Sequence, residues 1–335
     1  MTFRFLVSYH YHRDTDLTKI TDAYPGRCEV FADSGAFSAY TTGARIDLAD
    51  YAAWLRHWQG LITTASTLDV IGDSAATERN TIRLEGMGLR VLPVFHTGSP
   101  WGRLEHLCAR YPYVALGGMV PYSRRAPEVM RWLIRCFRTA QDHGTVFHGF
   151  GLTRVESLRA LPFYSVDSSS WAAGARYGSL NLWDNSRARI VQVRTGVPSE
   201  ARRHSKLISA HGANPVVVGR PGFAVLSRRT PAEFAAEIAQ MRGVPALAYS
   251  RLGECLQARH RVPAPNGWTE AGTVLYLADA VASHLVDAAR AITTDQPLCA
   301  AAHTTSTGQE VPRAPESGLR TRARRGSRHA SEQSS

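Results

Sequence analysis

Short β-rich runs alternate with helical patterns along roughly the first 195 residues, and this alternation constrains the fold more than any other feature of the sequence. Runs rich in Val, Phe, Tyr and Ile lie at 3–9, 29–32, 67–71, 90–95, 113–116, 145–148, 163–166 and 189–193. Between them, Asp47 is placed to cap a helix whose Tyr51, Trp54, Leu55 and Trp58 share one face. The stretch 126–143 reads the same way through Val129, Met130, Leu133 and Phe137. Strand-then-helix units at this density predict an α/β fold of the (β/α)8 TIM-barrel type, domain 1–195. A doubly wound open sheet would carry a ligand fingerprint at its first turn, and none follows Tyr9.

The rest of the chain has a different texture. Thr230-Pro231-Ala232-Glu233 is a capping box with proline at the first helical position, followed by Phe234, Ile238 and Met241. After a loop at 263–267, a long helix is expected from about Thr269 to Thr293, with Val274, Ala278, Val281, Leu285 and Ala289 as its apolar stripe. Region 196–295 therefore reads as a helical C-terminal layer against the barrel. From 296 to 335 the chain is rich in Ser, Thr, Gly and Arg and lacks periodicity, which predicts a disordered basic tail, either inert or a nucleic-acid arm.

The formal charge is +11, and lysine occurs only at Lys19 and Lys206. A GC-rich genome would favour arginine codons without functional meaning. The excess of cations over carboxylates still favours a polyanionic partner, because guanidinium groups bind phosphate bidentately. No run is long and apolar enough for a transmembrane helix, and the start is charged too soon for a signal peptide, so a cytoplasmic chain without membrane association is expected. The five scattered cysteines form no CxxC pair, and Cys255 with His260 lacks further ligands nearby, so no metal site and no cofactor are predicted.

The chemistry-bearing residues gather where the β-rich runs end. These ends read Asp33-Ser34-Gly35-Ala36-Phe37, Asp69 to Asp73, His96-Thr97-Gly98, Gly117-Gly118-Met119, His148-Gly149-Phe150-Gly151 and Asp167-Ser168-Ser169-Ser170-Trp171. In a barrel all of them converge on one mouth, where barrel enzymes keep their active sites. Each has a plainer role as well: Asp33, Asp69 and Asp73 as helix caps, Asp167 in an Asx-turn, His96 as a core histidine, and Gly117-Gly118 in a tight turn. Several carboxylates at one mouth repel one another, however, and a fold keeps them together mainly for a purpose. Two carboxylates beside a glycine-lined slot suit substitution at a sugar anomeric carbon, one attacking C1′ and the other moving protons. Phe37 and His148 could grip a planar base between them, and Asp69 or Asp73 could accept hydrogen bonds from a guanine-like edge.

Asp33-Ser34-Gly35-Ala36-Phe37-Ser38, Leu116-Gly117-Gly118-Met119, His148-Gly149-Phe150-Gly151 and Ser165-Val166-Asp167-Ser168-Ser169-Ser170-Trp171 together resemble the tRNA-guanine transglycosylase superfamily. The likeness extends to its phage and bacterial branch of DpdA-like DNA 7-deazaguanine transglycosylases, which the opening Leu6-Val7-Ser8-Tyr9-His10 also resembles. The resemblance covers about residues 3–190 and implies a TIM barrel that exchanges guanine for a 7-deazaguanine without cutting the strand. It implies Asp167 as nucleophile, Asp33 as general acid/base, Phe37 and His148 on the two faces of the base, and Asp73 in preference to Asp69 as reader of its edge. Ser34, Gly35, His96, Gly117, Gly118, Met119 and Gly149 complete the implied substrate pocket, His96 standing where the tRNA enzymes have glutamine. The implied partners are duplex DNA with a flipped guanosine, a free 7-deazaguanine base and accessory DNA-modification proteins. Arg124, Arg125, Arg187, Arg189, Arg202 and Arg203 are candidates for phosphate contacts. The Cys-x-Cys-x-x-Cys…His zinc subdomain of the tRNA enzymes has no counterpart here. Exchange on tRNA, a noncatalytic nucleic-acid-binding barrel and a generic N-glycoside hydrolase are the alternatives.

Overall fold

The computed structural model describes residues 2–293 except 123–124, 153, 267 and 269–271. The expected tail at 296–335 lies outside these residues. Ten strands follow in chain order: β1 (Phe3–Ser8), β2 (Cys28–Asp33), β3 (Ile62–Ala65), β4 (Val94–His96), β5 (Tyr113–Gly117), β6 (Val146–Gly149), β7 (Ser165–Ser168), β8 (Ser179–Asp184), β9 (Arg189–Arg194) and β10 (Val274–Ala278). Eight of them form one parallel sheet in the order β3-β2-β1-β10-β7-β6-β5-β4. The sheet curls: the Leu92 N–H donates to the Ala65 carbonyl at 2.7 Å and the Thr67 N–H to the Leu92 carbonyl at 2.9 Å, bridging the flanks of β3 and β4.

Alternation along the strands divides the core. Phe5, Val7, Val30, Val114 and Leu277 face the helices and pack with Tyr51, Trp54, Leu84, Leu104 and Leu133. Leu6, Phe31, Val94, Tyr113, Ala115 and Tyr276 pack together on the opposite face. Burial on both faces is why these strands read as continuous apolar runs rather than as alternating ones.

The sequence expectations hold for β1, β2, β5, β6 and β7, with shifts at their ends. Asp47 caps the helix Leu48–His57 by accepting from the Ala49 N–H at 2.7 Å. Both halves of the Thr230–Glu233 capping box are formed at the start of the helix Pro231–His260.

Three strand expectations are corrected. The strand expected at 67–71 lies earlier, at Ile62–Ala65, because the ladder to β2 pairs Val30 with Ile62 and Ala32 with Ala65. Leu68 of the expected run is buried in the helix-facing core from a loop instead. The strand expected at 90–95 is cut to Val94–His96, since Pro93 has no N–H to give to a ladder. The eighth strand of the sheet is not 189–193, which pairs antiparallel with β8 as a separate hairpin, but Val274–Ala278.

That last segment sits inside the expected long helix. It runs Val-Leu-Tyr-Leu-Ala, is buried throughout, and fills the sheet between β1 and β7. Asp279 then accepts from the Val281 N–H at 2.8 Å, and the helix Ala282–Thr293 begins. Region 196–295 is therefore not only a helical layer: it supplies a sheet strand, and Met1–Gln296 forms one compact unit. A smaller core of Leu180, Leu182, Val193, Ile208 and Phe223 joins the hairpin to the helices that follow it. Among the described residues no helix is long and apolar enough to cross a membrane.

Candidate active site

Parallel strands carry their C-terminal ends to one edge of the sheet, and the carboxylates stand there. Asp33 ends β2 and Asp167 lies in β7. Both line one cavity of about 590 Å³, and Asp33 also lines an adjoining cavity of about 320 Å³. Phe37 forms the other shared part of the wall.

Asp33 does not cap the following helix. Its Oδ2 accepts from the Gly35 N–H at 2.9 Å, and its Oδ1 accepts from the Ser66 hydroxyl at 2.9 Å. The turn needs glycine at Gly35, where φ is +73° and a Cβ would lie 2.6 Å from that of His10. Burial raises the Asp33 pKa to about 6 and the charge of Asp69 adds to the rise, while the two hydrogen bonds oppose it. Such a carboxyl gains or loses a proton readily near neutral pH.

Asp167 is held differently. Its Oδ1 accepts from the Gly151 N–H at 2.8 Å and lies 3.3 Å from His148 Nε2. His148 is fully buried and stacks on Phe31 with ring centroids 4.3 Å apart. Burial lowers its pKa, so the ring is neutral, with a single N–H. An N–H facing a carboxylate must sit on Nε2, which leaves Nδ1 to accept from the Ser165 hydroxyl at 2.5 Å. Ser165 in turn accepts from the Tyr113 hydroxyl at 2.5 Å. The result is a buried chain from Tyr113 to Ser165 to His148. His148 Nε2 faces Asp167 Oδ1 across 3.3 Å without a well-formed hydrogen bond, so the Gly151 N–H is what fixes that oxygen. Among the described residues Oδ2 of Asp167 has no recorded partner.

The chain makes a direct prediction. Replacing Ser165 by Ala removes the donor to Nδ1, so the imidazole is expected to populate the Nδ1–H tautomer, read from its ¹⁵N ring shifts. Unchanged shifts would mean that Ser165 does not set the tautomer.

The 320 Å³ cavity gathers most of the expected pocket: Phe37, Asp69, His96, Gly117, Gly118 and Met119, with Phe150 and Tyr122 closing it. Its size falls at the lower end of small-ligand sites. His96 Nε2 lies 3.1 Å from Asp69 Oδ2. Burial disfavours the imidazolium, but the hydrogen bond and charge of Asp69, helped by Asp33, hold its pKa above the ordinary value. Asp69 Oδ1 is buried without a hydrogen-bond partner, a spare acceptor in the cavity wall. Gly118 (φ +76°) admits no side chain, since a Cβ would lie 2.7 Å from Thr97 Oγ1.

Several expected site residues fall elsewhere. Asp73 is exposed and caps the helix Ser74–Gly86, accepting from the Ala76 N–H at 2.8 Å, so Asp69 is the carboxylate at the cavity. His148 cannot cover a base, because its ring is fully buried, stacked on Phe31 and met edge-on by Phe150. Ser34 is buried and accepts from Ala36 N–H, and a Cβ on Gly149 would press on Phe163; neither lines either of these two cavities. Arg125 is exposed just beyond Val120–Tyr122 at the smaller cavity. Arg187 and Arg189 belong to the β8–β9 hairpin, and Arg202 and Arg203 to the helix Pro198–Arg203; all four are exposed and none lines these cavities. Arg124 lies outside the described residues.

Sequence reasoning quoted Gly151 and Ser165 within its motifs but gave them no role, and it missed Ser66, Tyr113 and Arg176. Ser165 was detectable, since i and i+2 in a strand share a face and put it beside Asp167. Arg176 lines the larger cavity and carries no ion pair among the described residues. His260 Nε2 meets the Leu158 carbonyl at 2.7 Å. The described residues contain no group of three or more His, Cys, Asp or Glu placed to hold a metal ion.

Comparison of the chain with protein-family models, with curated proteins and with solved structures finds no match. The chemistry of the site itself therefore bears on function.

Proposed function

We propose that this protein is a base-exchange enzyme that replaces guanine in DNA by a 7-deazaguanine derivative, such as 7-cyano-7-deazaguanine. The curled eight-stranded sheet is read as a (β/α)8 barrel of the tRNA-guanine transglycosylase type, which its strand-end motifs resemble. The observation that carries the reading is the pair of unequal carboxylates on one cavity: Asp167 with one oxygen pinned and one spare, and Asp33 with a pKa near 6.

In this reading Asp167 Oδ2 attacks C1′ as the bond from C1′ to guanine N9 breaks. Asp33 gives its proton to the departing base. The incoming 7-deazaguanine returns a proton to Asp33 as its own ring nitrogen attacks C1′ and releases Asp167. Two displacements restore the original configuration. The base sits in the smaller cavity on the Gly117-Gly118 backbone, with Phe37 against it and Asp69 accepting from its N–H edge. No cofactor enters the scheme. Accessory DNA-modification proteins remain compatible partners.

The test offers guanine-labelled DNA and, in parallel, labelled tRNA to the purified protein together with 7-cyano-7-deazaguanine. Guanine release from DNA only is expected. Release from tRNA only would move the activity to RNA, and repeated turnover to abasic sites without any added base would make the protein an N-glycoside hydrolase. Release from neither would leave a nucleic-acid-binding barrel.

A further inference from the structure

The large aromatic side chains exposed among the described residues are Tyr11, Phe37, Tyr40 and Tyr177, at 47%, 43%, 66% and 79% exposure. None is scattered. Tyr11 follows β1, Phe37 and Tyr40 follow β2, and Tyr177 closes the helix Ser170–Arg176 that follows β7. All four thus belong to segments leaving the same edge of the sheet as Asp33 and Asp167.

The cavities form a row along that edge. A cleft of about 480 Å³, lined by Tyr40 and Arg45, shares Ala36, Asp69 and Ile71 with the 320 Å³ base cavity. The base cavity shares Asp33 and Phe37 with the 590 Å³ cavity, which Tyr11 and Arg176 line. Arg45 and Arg176, at opposite ends of the row, are exposed and form no ion pair among the described residues. Each end therefore offers an exposed tyrosine beside an uncompensated guanidinium, with the base cavity between them.

We infer that this row is a track for single-stranded DNA, in which unpaired nucleotides flank the target guanosine. Nucleotides on either side stack on exposed tyrosines, and their phosphates meet Arg45 and Arg176. A paired base has both faces covered within the helix and can stack on neither tyrosine, so duplex DNA engages the row only after local opening. The choice of DNA rests on the function proposed above; the row itself stands on the cavities and the exposed aromatics.

The test is fluorescence anisotropy on a labelled oligodeoxythymidine with one central guanine, its duplex and the matching RNA, without free base. The single DNA strand is expected to bind at least about tenfold more tightly than the duplex. Tyr40→Ala and Tyr11→Ala should each weaken it about tenfold. Arg45→Ala and Arg176→Ala should each reduce the slope of log affinity against log salt by about 0.7. All four side chains are exposed, so loss of fold is not expected. Equal or tighter duplex binding, tighter RNA binding, no binding, or four variants that behave as wild type would each overturn the track. Tight single-strand binding without guanine release would leave the track standing and remove the base-exchange reading.

Discussion

Asp167→Asn is expected to lower base exchange by a factor of roughly 10⁴ or more while leaving the fold intact. The amide keeps the shape of the carboxylate and can still accept from the Gly151 N–H through its remaining oxygen. What it loses is the nucleophile, because the spare oxygen becomes an amide nitrogen with no lone pair to offer C1′. His148 supports this separation, since its Nε2–H faces the oxygen that does not attack. Steady-state guanine release, measured beside a thermal unfolding curve, checks both halves. Undiminished exchange would remove Asp167 as the nucleophile.

Asp33→Asn is expected to cost about 10²- to 10⁴-fold in kcat/KM and to change its pH dependence. In the wild type the leaving base needs the protonated carboxyl, so kcat/KM should fall as pH rises through about 6, the pKa to which burial raises Asp33. The variant should lack that limb. The same shift has a consequence for stability with a definite sign. A carboxyl raised from 3.8 to about 6 in the folded state binds its proton more tightly folded than unfolded. Its contribution is fully present below about pH 4 and is lost as pH rises through 6. The Asn side chain does not ionise, and the Ser66 hydroxyl can turn to accept from its amide. Asp33→Asn should therefore melt higher than wild type at pH 7 to 8, and the two should converge below pH 4. A lower melting temperature for the variant at pH 8 would contradict the burial of a strained charge at this site.

The strand ends were legible because β-rich runs there stop abruptly at polar residues, a pattern that by itself places Asp33, His96, Gly117 and Asp167 on one edge. The strand Val274–Ala278 was not legible, because Val274 and Ala278 continue the helical stripe of Val281, Leu285 and Ala289. Only the gap between β1 and β7 decides that this segment extends. β3 was misplaced because Thr63 and Thr64 make it more polar than the loop residues Leu68, Val70 and Ile71. Asp69 and Asp73 differ in role through one local event, the capping of a helix by Asp73, which frees Asp69 for the cavity. His148 changed from a base-stacking face to a buried group facing Asp167 because its neighbour Phe31 comes from a distant strand, a contact that no local pattern encodes.

The most direct measurement of the central claim is recovery of the reaction intermediate. Protein incubated with guanine-containing single-stranded DNA, without free 7-deazaguanine, would be quenched under denaturing conditions, digested and analysed by mass. The account expects one deoxyribosyl adduct, carried by the peptide containing Asp167 and discharged when 7-cyano-7-deazaguanine is added before the quench. An adduct on another residue, or guanine release with no adduct and an abasic product, would contradict it.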